Sequence, residues 1–174
     1  MSGSFEGIKT RKFGIEIEMT GLTRSQAAKA VAKAVNGKAE HTGGSYDKYV
    51  VTDSNGRKWA LVYDGSITCY NASGDRASKS YSVELNSPVL EYEDIPLLQE
   101  VVRALRKAGG VTGPRYCAGT HIHISADDYT PRQIRNLVNI FASKEDFLWD
   151  ALQVSSAREF YCHRMDKQFI EDIN

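Results

Sequence analysis

The sequence predicts an α+β fold, with an antiparallel sheet whose helices pack on one face. Two observations carry this. Short runs of alternating apolar and polar residues are separated by tight-turn signals, and stretches of helical period are interspersed among them. A third observation concerns the sheet's other face, which collects glutamates and histidines and is therefore either solvent-facing or a site.

Arg11–Thr20 opens the pattern. Phe13, Ile15 and Ile17 alternate with Glu16 and Glu18, giving a strand with one apolar and one acidic face. Thr23–Val35 reads as a helix, Ala-rich and closed by Asn36-Gly37. Tyr49–Asp53 and Arg57–Asp64 are β-rich runs joined through Ser54-Asn55-Gly56, an antiparallel hairpin. Ser66–Tyr70 is a candidate extension of the sheet, Asn71–Lys79 reads as a mobile loop, and Ser80–Leu85 is a further strand. Asp94 is positioned to cap a helix whose apolar stripe is Leu97, Leu98, Val101, Val102 and Leu105, ended by Gly109-Gly110. Gly119–Ser125 is a strand with His121 and His123 on one face and Ile122 and Ile124 on the other. Thr130-Pro131-Arg132-Gln133 is a capping box, and the helix it starts is expected to bury Ile134, Leu137, Val138 and Phe141. A last helical stretch covers roughly Lys144–Leu152.

The totals narrow the classes. The 174 residues fit one domain, 1–174, and a 41% hydrophobic fraction is enough for a core. Lysine plus arginine equals aspartate plus glutamate, at 22 each, so there is no overall electrostatic footprint for nucleic acid or an anionic membrane. A local basic pocket for phosphates remains compatible with this balance. No apolar run is long enough to cross a bilayer, and residues 1–9 lack the apolar stretch of a secretory signal. Cys69, Cys117 and Cys162 are odd in number and widely spaced, which is no disulfide framework, so a cytoplasmic location is expected.

Several motifs could carry chemistry. Side chains two apart on a strand point the same way, so Glu16 and Glu18 suit a hard ion such as Mg²⁺ or Mn²⁺. From that doublet alone, a wet strand face is the simpler reading. His121-Ile122-His123 presents two imidazoles on one face, and only four histidines occur in the chain. Glu84, between Val83 and Leu85, adds a third carboxylate on a strand. Unpaired carboxylates on one face repel each other, and a divalent metal removes that cost. Asp64-Gly65-Ser66 ends a strand and reads first as a plain turn, second as a clamp for an amine or hydroxyl. Gly43-Gly44-Ser45 is too short for a phosphate loop, and Cys162-His163 is no catalytic pair by adjacency alone. Arg158, Arg164 and Lys167 read as surface charges, with a phosphate contact open to Arg158 or Arg164.

Together these residues resemble a known family. Phe13-Gly14-Ile15-Glu16-Ile17-Glu18 is similar to the G-x-E-x-E strand of the amidoligases, within the glutamine synthetase / glutamate–cysteine ligase superfamily. Trp59 to Asp64-Gly65-Ser66 resembles their W…D-x-S segment, and Glu84-Leu85-Asn86-Ser87-Pro88-Val89-Leu90 their E-x-x-S-P-x-L segment. Gly119-Thr120-His121-Ile122-His123-Ile124 resembles the G-x-H-x-H strand, and Ser156–Cys162 the helical R-x-x-Y-C segment that follows. The resemblance implies a curved, glutamine-synthetase-like antiparallel sheet. It implies an enzyme that uses ATP and Mg²⁺ (or Mn²⁺) to join a carboxylate substrate to an amine substrate, either of them a peptide in some members, through an acyl phosphate. Glu16, Glu18, Glu84 and His121 would hold metal, His121, His123 and Arg158 would meet the nucleotide, and Asp64 and Glu84 would act in catalysis, Asp64 by orienting the amine. Family members continue into a Lys-Tyr strand and a late E-x-R strand. This chain ends at Asn174 before either, so an amidoligase domain without those strands is expected.

Two other readings use the same residues. Two histidines plus a carboxylate suit Zn²⁺ or Fe²⁺ in a hydrolase. A ligase-derived domain from a phage or other mobile element could instead be a non-catalytic binding or inhibitor protein. It would use the uncovered sheet edge to form a homo-oligomer or bind a protein partner.

Overall fold

A computed structural model describes residues 6–154, 156 and 161–174. The chain divides into two compact units, Met1–Ser125 and Ala126–Asn174.

The first unit is an α+β layer. Its elements are α1 (Glu6–Lys9), β1 (Phe13–Met19), α2 (Arg24–Ala34), β2 (Lys38–Gly43), β3 (Lys48–Thr52), β4 (Lys58–Val62), β5 (Val83–Asn86), α3 (Ile95–Lys107) and β6 (Thr120–Ile124). The six strands form one sheet in the order β2-β3-β4-β5-β1-β6, and every neighbouring pair is antiparallel. Strand alternation divides the sheet into two chemical faces. Met19, Val51, Trp59, Leu61, Val83 and Leu85 are buried on one face against Ala27, Ala28 and Val31 of α2 and Val101 and Leu105 of α3. The opposite face carries Glu16 and Glu18 of β1, Glu84 and Asn86 of β5, and His121 and His123 of β6.

Local chemistry accounts for most of these elements. Thr23 caps α2 in a full capping box with Gln26. The β3–β4 turn is built around Asp53, whose carboxylate accepts from the Asn55 and Arg57 amides, both at 2.9 Å, and Gly56 takes a φ of 78°. The serine of the Ser-Pro pair extends the β1–β5 ladder with its side chain. The Ser87 hydroxyl accepts from the Ile15 amide at 2.9 Å, and the Ser87 amide donates to the Ile15 carbonyl at 2.9 Å. Gly21 follows β1 at a φ of +89°, and a Cβ there would lie 2.3 Å from the Gly109 carbonyl oxygen, so no other residue fits that crossing.

The structure departs from the sequence expectations at four places. Lys38–Gly43 is a strand, β2, although its residues lack the β-branched apolar pattern; it forms through hairpin pairing with β3 at the sheet edge. Ser66–Tyr70 does not extend the sheet; Tyr70 makes only an isolated bridge to Arg76. The Asp94 side chain does not cap α3. It accepts instead from the Glu91 amide at 3.0 Å and from Arg57 Nη1 at 2.8 Å. In the second unit, α4 (Pro131–Ser143), α5 (Glu145–Ala151) and α6 (Lys167–Asp172) form as helices, and Thr130 completes its capping box. Yet Ile134, Leu137 and Phe141 are exposed, at 45%, 40% and 47%, and Val138 is half-buried. The two short helices α5 and α6 offer too little surface to cover a three-turn apolar stripe.

All three cysteines are free thiols. No helix among the described residues is long and apolar enough to cross a membrane.

Candidate metal centre

The site grows out of the antiparallel register. β1 ends where β5 begins, so Glu18 stands directly opposite Glu84, and Val62 at the end of β4 is paired with Glu84 from the other side. Two residues beyond Val62 the chain turns at Asp64. Carboxylate oxygens of Glu18, Asp64 and Glu84 thereby all lie within 4.8 Å of one another.

Each member is held in place. The buried Glu18 accepts from the Gly119 amide at 2.7 Å, which ties the end of β1 to the entry of β6. Asp64 is fixed through its backbone by the buried Ser82. The Ser82 hydroxyl accepts from the Asp64 amide at 3.0 Å and donates to the Asp64 carbonyl at 2.6 Å. The Asp64 carboxylate accepts from the Ser66 amide at 2.6 Å. Glu84 accepts from Asn86 Nδ2 at 2.8 Å.

The electrostatics of the acids follow from this packing. Burial pushes Glu84 above the ordinary glutamate value, and the hydrogen bond and negative charge of Asp64, with the charge of Glu16, act the same way against the Asn86 amide. Burial pulls Asp64 upward too. The Ser66 amide and hydroxyl, the hydrogen bond with Glu84 and the charge of His121 outweigh it and hold Asp64 low. The two neighbouring carboxyls are thus shifted in opposite directions, Asp64 down and Glu84 up.

Glu16 and the histidines form an adjoining group. His121 pairs with Glu16 across β1 and β6, and its Nδ1 is 2.9 Å from Glu16 Oε2. His123 Nε2 is 3.2 Å from Glu16 Oε1, and His121 Nε2 is 3.9 Å from Glu18 Oε1. A cavity of about 390 Å³ borders Glu16 and His123, walled in part by Lys12, Ser87, Pro88 and Val89.

The sequence-predicted residues therefore separate into two neighbouring sets. Asp64 joins Glu18 and Glu84, while Glu16 joins His121 and His123. Arg158 lies outside the described residues. In the second unit, Arg164 is occupied by Asp146 at 2.6 Å and Glu145 at 3.6 Å and stacks over Trp149. Ser82 and Asn86 escaped the sequence reading. Asn86 was detectable by its two-residue spacing from Glu84, but the bond from Ser82 to Asp64 joins separate elements and has no local signature.

An open antiparallel α+β sheet thus carries an all-oxygen acidic cluster beside an imidazole pair, a donor set able to hold a metal ion. A family model described as "Putative amidoligase enzyme" matches residues 9–174, and the chain belongs to the amidoligase family. No curated protein and no solved structure matches the chain.

Proposed function

We propose that this protein is an ATP- and Mg²⁺-dependent ligase that joins a carboxylate to an amine through an acyl phosphate. One observation carries the reading: the Glu18–Asp64–Glu84 cluster offers oxygen donors only, within 4.8 Å of one another. Hard donors of this kind suit Mg²⁺ or Mn²⁺ and disfavour the Zn²⁺ or Fe²⁺ of a hydrolase, which would draw histidine into the first set. Burial first, and then the neighbouring charges of Asp64 and Glu16, hold the Glu84 carboxyl above the ordinary glutamate value, and a divalent cation would offset both.

Glu18, Asp64 and Glu84 would hold the cation, with Glu16 and His121 beside them. When bound, it neutralises phosphate charge during phosphoryl transfer. The substrate carboxylate oxygen attacks the γ-phosphorus and ADP leaves. The amine nitrogen then attacks the acyl carbon, inorganic phosphate leaves, and the amine gives up a proton. Asp64, whose carboxyl is held below the ordinary aspartate value, suits the binding of the incoming amine as its ammonium form, and the departing phosphate can take up the proton released on attack. The cavity beside Glu16 and His123 is of a size that accepts a nucleotide portion, and Lys12 on its wall supplies a positive charge. A cytoplasmic setting, where ATP is available, fits the three free thiols.

Hydroxylamine trapping tests this reading. Incubation with Mg·ATP, hydroxylamine and a panel of carboxylates, including acidic amino acids and short peptides, should release phosphate and yield a hydroxamate for at least one acid. ATP turnover without any hydroxamate, or no turnover across the panel, speaks against it.

A second reading has its own support. β6 forms the sheet edge, and all five of its residues are exposed, so its outer backbone groups suit pairing with another strand. Concentration-dependent association lost on introducing proline at Ile122 would favour a homo-oligomer through this edge; a monomer at all concentrations would count against it.

A further inference from the structure

We infer that Arg76 and Arg115, stacked on Tyr70, form an oxyanion subsite that takes a carboxylate or phosphate group of a substrate. The inference deepens the ligase reading and rests on it for the source of the anion.

The two arginines come from different loops, and each lies over the Tyr70 ring. The Arg76 guanidinium carbon lies 5.1 Å from the Tyr70 ring centroid and that of Arg115 lies 5.2 Å from it. Arg115 also lies 5.7 Å from the Tyr116 ring, and Tyr70 and Tyr116 meet edge-on at 5.4 Å. Both arginines are exposed, and among the described residues neither forms an ion pair. Two guanidinium groups gathered at one ring repel each other, and stacking at an exposed ring offsets that only in part. An oxyanion bound by both would remove the repulsion, and guanidinium is the side chain best shaped to grip one bidentately.

The loops are fastened rather than loosely juxtaposed. Tyr70 is anchored to the residues after β1. Its carbonyl accepts from the Gly21 amide at 3.0 Å and the Thr20 hydroxyl at 3.0 Å, and its amide donates to the Thr20 hydroxyl at 2.9 Å. The carbonyl of Tyr116 accepts from the Thr68 amide at 2.8 Å. Asn71 closes the turn that returns the chain to Arg76, its side chain accepting from the Ser73 and Asp75 amides, both at 2.9 Å. Thr20 lies two residues beyond Glu18, so the pair of arginines is secured at the strand end that also carries the acidic cluster.

The test is side-chain NMR of the full chain. Glutarate and inorganic phosphate are titrated separately while the arginine Nε–Hε resonances are followed, with R76Q, R115Q and, as a surface control, R103Q. One probe or both should shift the Arg76 and Arg115 signals, and affinity should fall roughly tenfold or more in R76Q and R115Q but not in R103Q. A response to glutarate alone assigns the subsite to a substrate carboxylate, and a response to phosphate alone to a phosphoryl group. The response should persist in EDTA and in E84Q, so failure of the metal site would leave it intact. If neither probe moves these resonances, or if R76Q and R115Q bind as the parent does, the inference is overturned.

Discussion

Glu16 and His121 face each other across β1 and β6, with Glu16 Oε2 2.9 Å from His121 Nδ1, and the same carboxylate reaches His123 Nε2 at 3.2 Å through its other oxygen. Glu16 thus links the imidazole pair to the sheet face on which Glu18 and Glu84 stand. Its side chain is 30% exposed, so it contributes little to the core. Replacement by glutamine should leave the melting temperature within about 2 °C of the parent. It should weaken Mn²⁺ binding, followed by electron paramagnetic resonance, by roughly tenfold.

Glu84 should trade stability for function. Its folded pKa lies above the ordinary value of 4.5, so the folded state binds its proton more tightly than the unfolded chain does. The ionised form is then disfavoured by folding, and this cost appears as pH rises from about 4.5 through the folded pKa and stays constant above it. Glu84→Gln should therefore stabilise the metal-free protein at pH 7, by a few tenths to about 1 kcal/mol because the group is only half-buried. Urea denaturation in EDTA measures the gain, and saturating Mg²⁺ should reverse the order.

Asp53 has the opposite sign. Burial pushes its carboxyl up, but the Arg57 amide and guanidinium, the Trp59 indole and the Asn55 amide together hold it below 3.8. Its contribution is complete above pH 3.8 and is lost as pH falls through the lower folded value. Asp53→Asn should cost about 2–3 kcal/mol at pH 7, since Arg57 loses a charged partner. Denaturation midpoints between neutral pH and pH 2 should show the parent converging on the variant at the acid end.

Arg24 is 5% exposed and ties three segments together. Its Nη1 donates to the carbonyls of Lys79 at 2.7 Å and Ser82 at 2.6 Å, and its Nε and Nη2 pair with Asp47. Lysine cannot reproduce that fork, so Arg24→Lys should destabilise by about 2 kcal/mol. Amide hydrogen exchange should rise first in residues 63–82, the loop that positions Asp64.

Much of this was legible locally. The Phe13–Met19 strand, the hairpin at Ser54-Asn55-Gly56 and the boxes at Thr23 and Thr130 depend on periodicity or on hydrogen bonds within four residues. Three things were not legible. β2 exists because β3 pairs with it, not because Lys38–Gly43 favours a strand. Asp64 reads as a turn until the β4–β5–β1 register brings it to Glu18 and Glu84. The stacking of Arg76 and Arg115 on Tyr70 arises from loop contacts that leave no spacing in the sequence.

Calorimetric titration of ATP tests the central claim most directly, with Mg²⁺ and then EDTA, on the parent and on Glu84→Gln. The account predicts binding that needs Mg²⁺ and is lost in the variant. Equal binding in EDTA, or none in either buffer from folded protein, would contradict it.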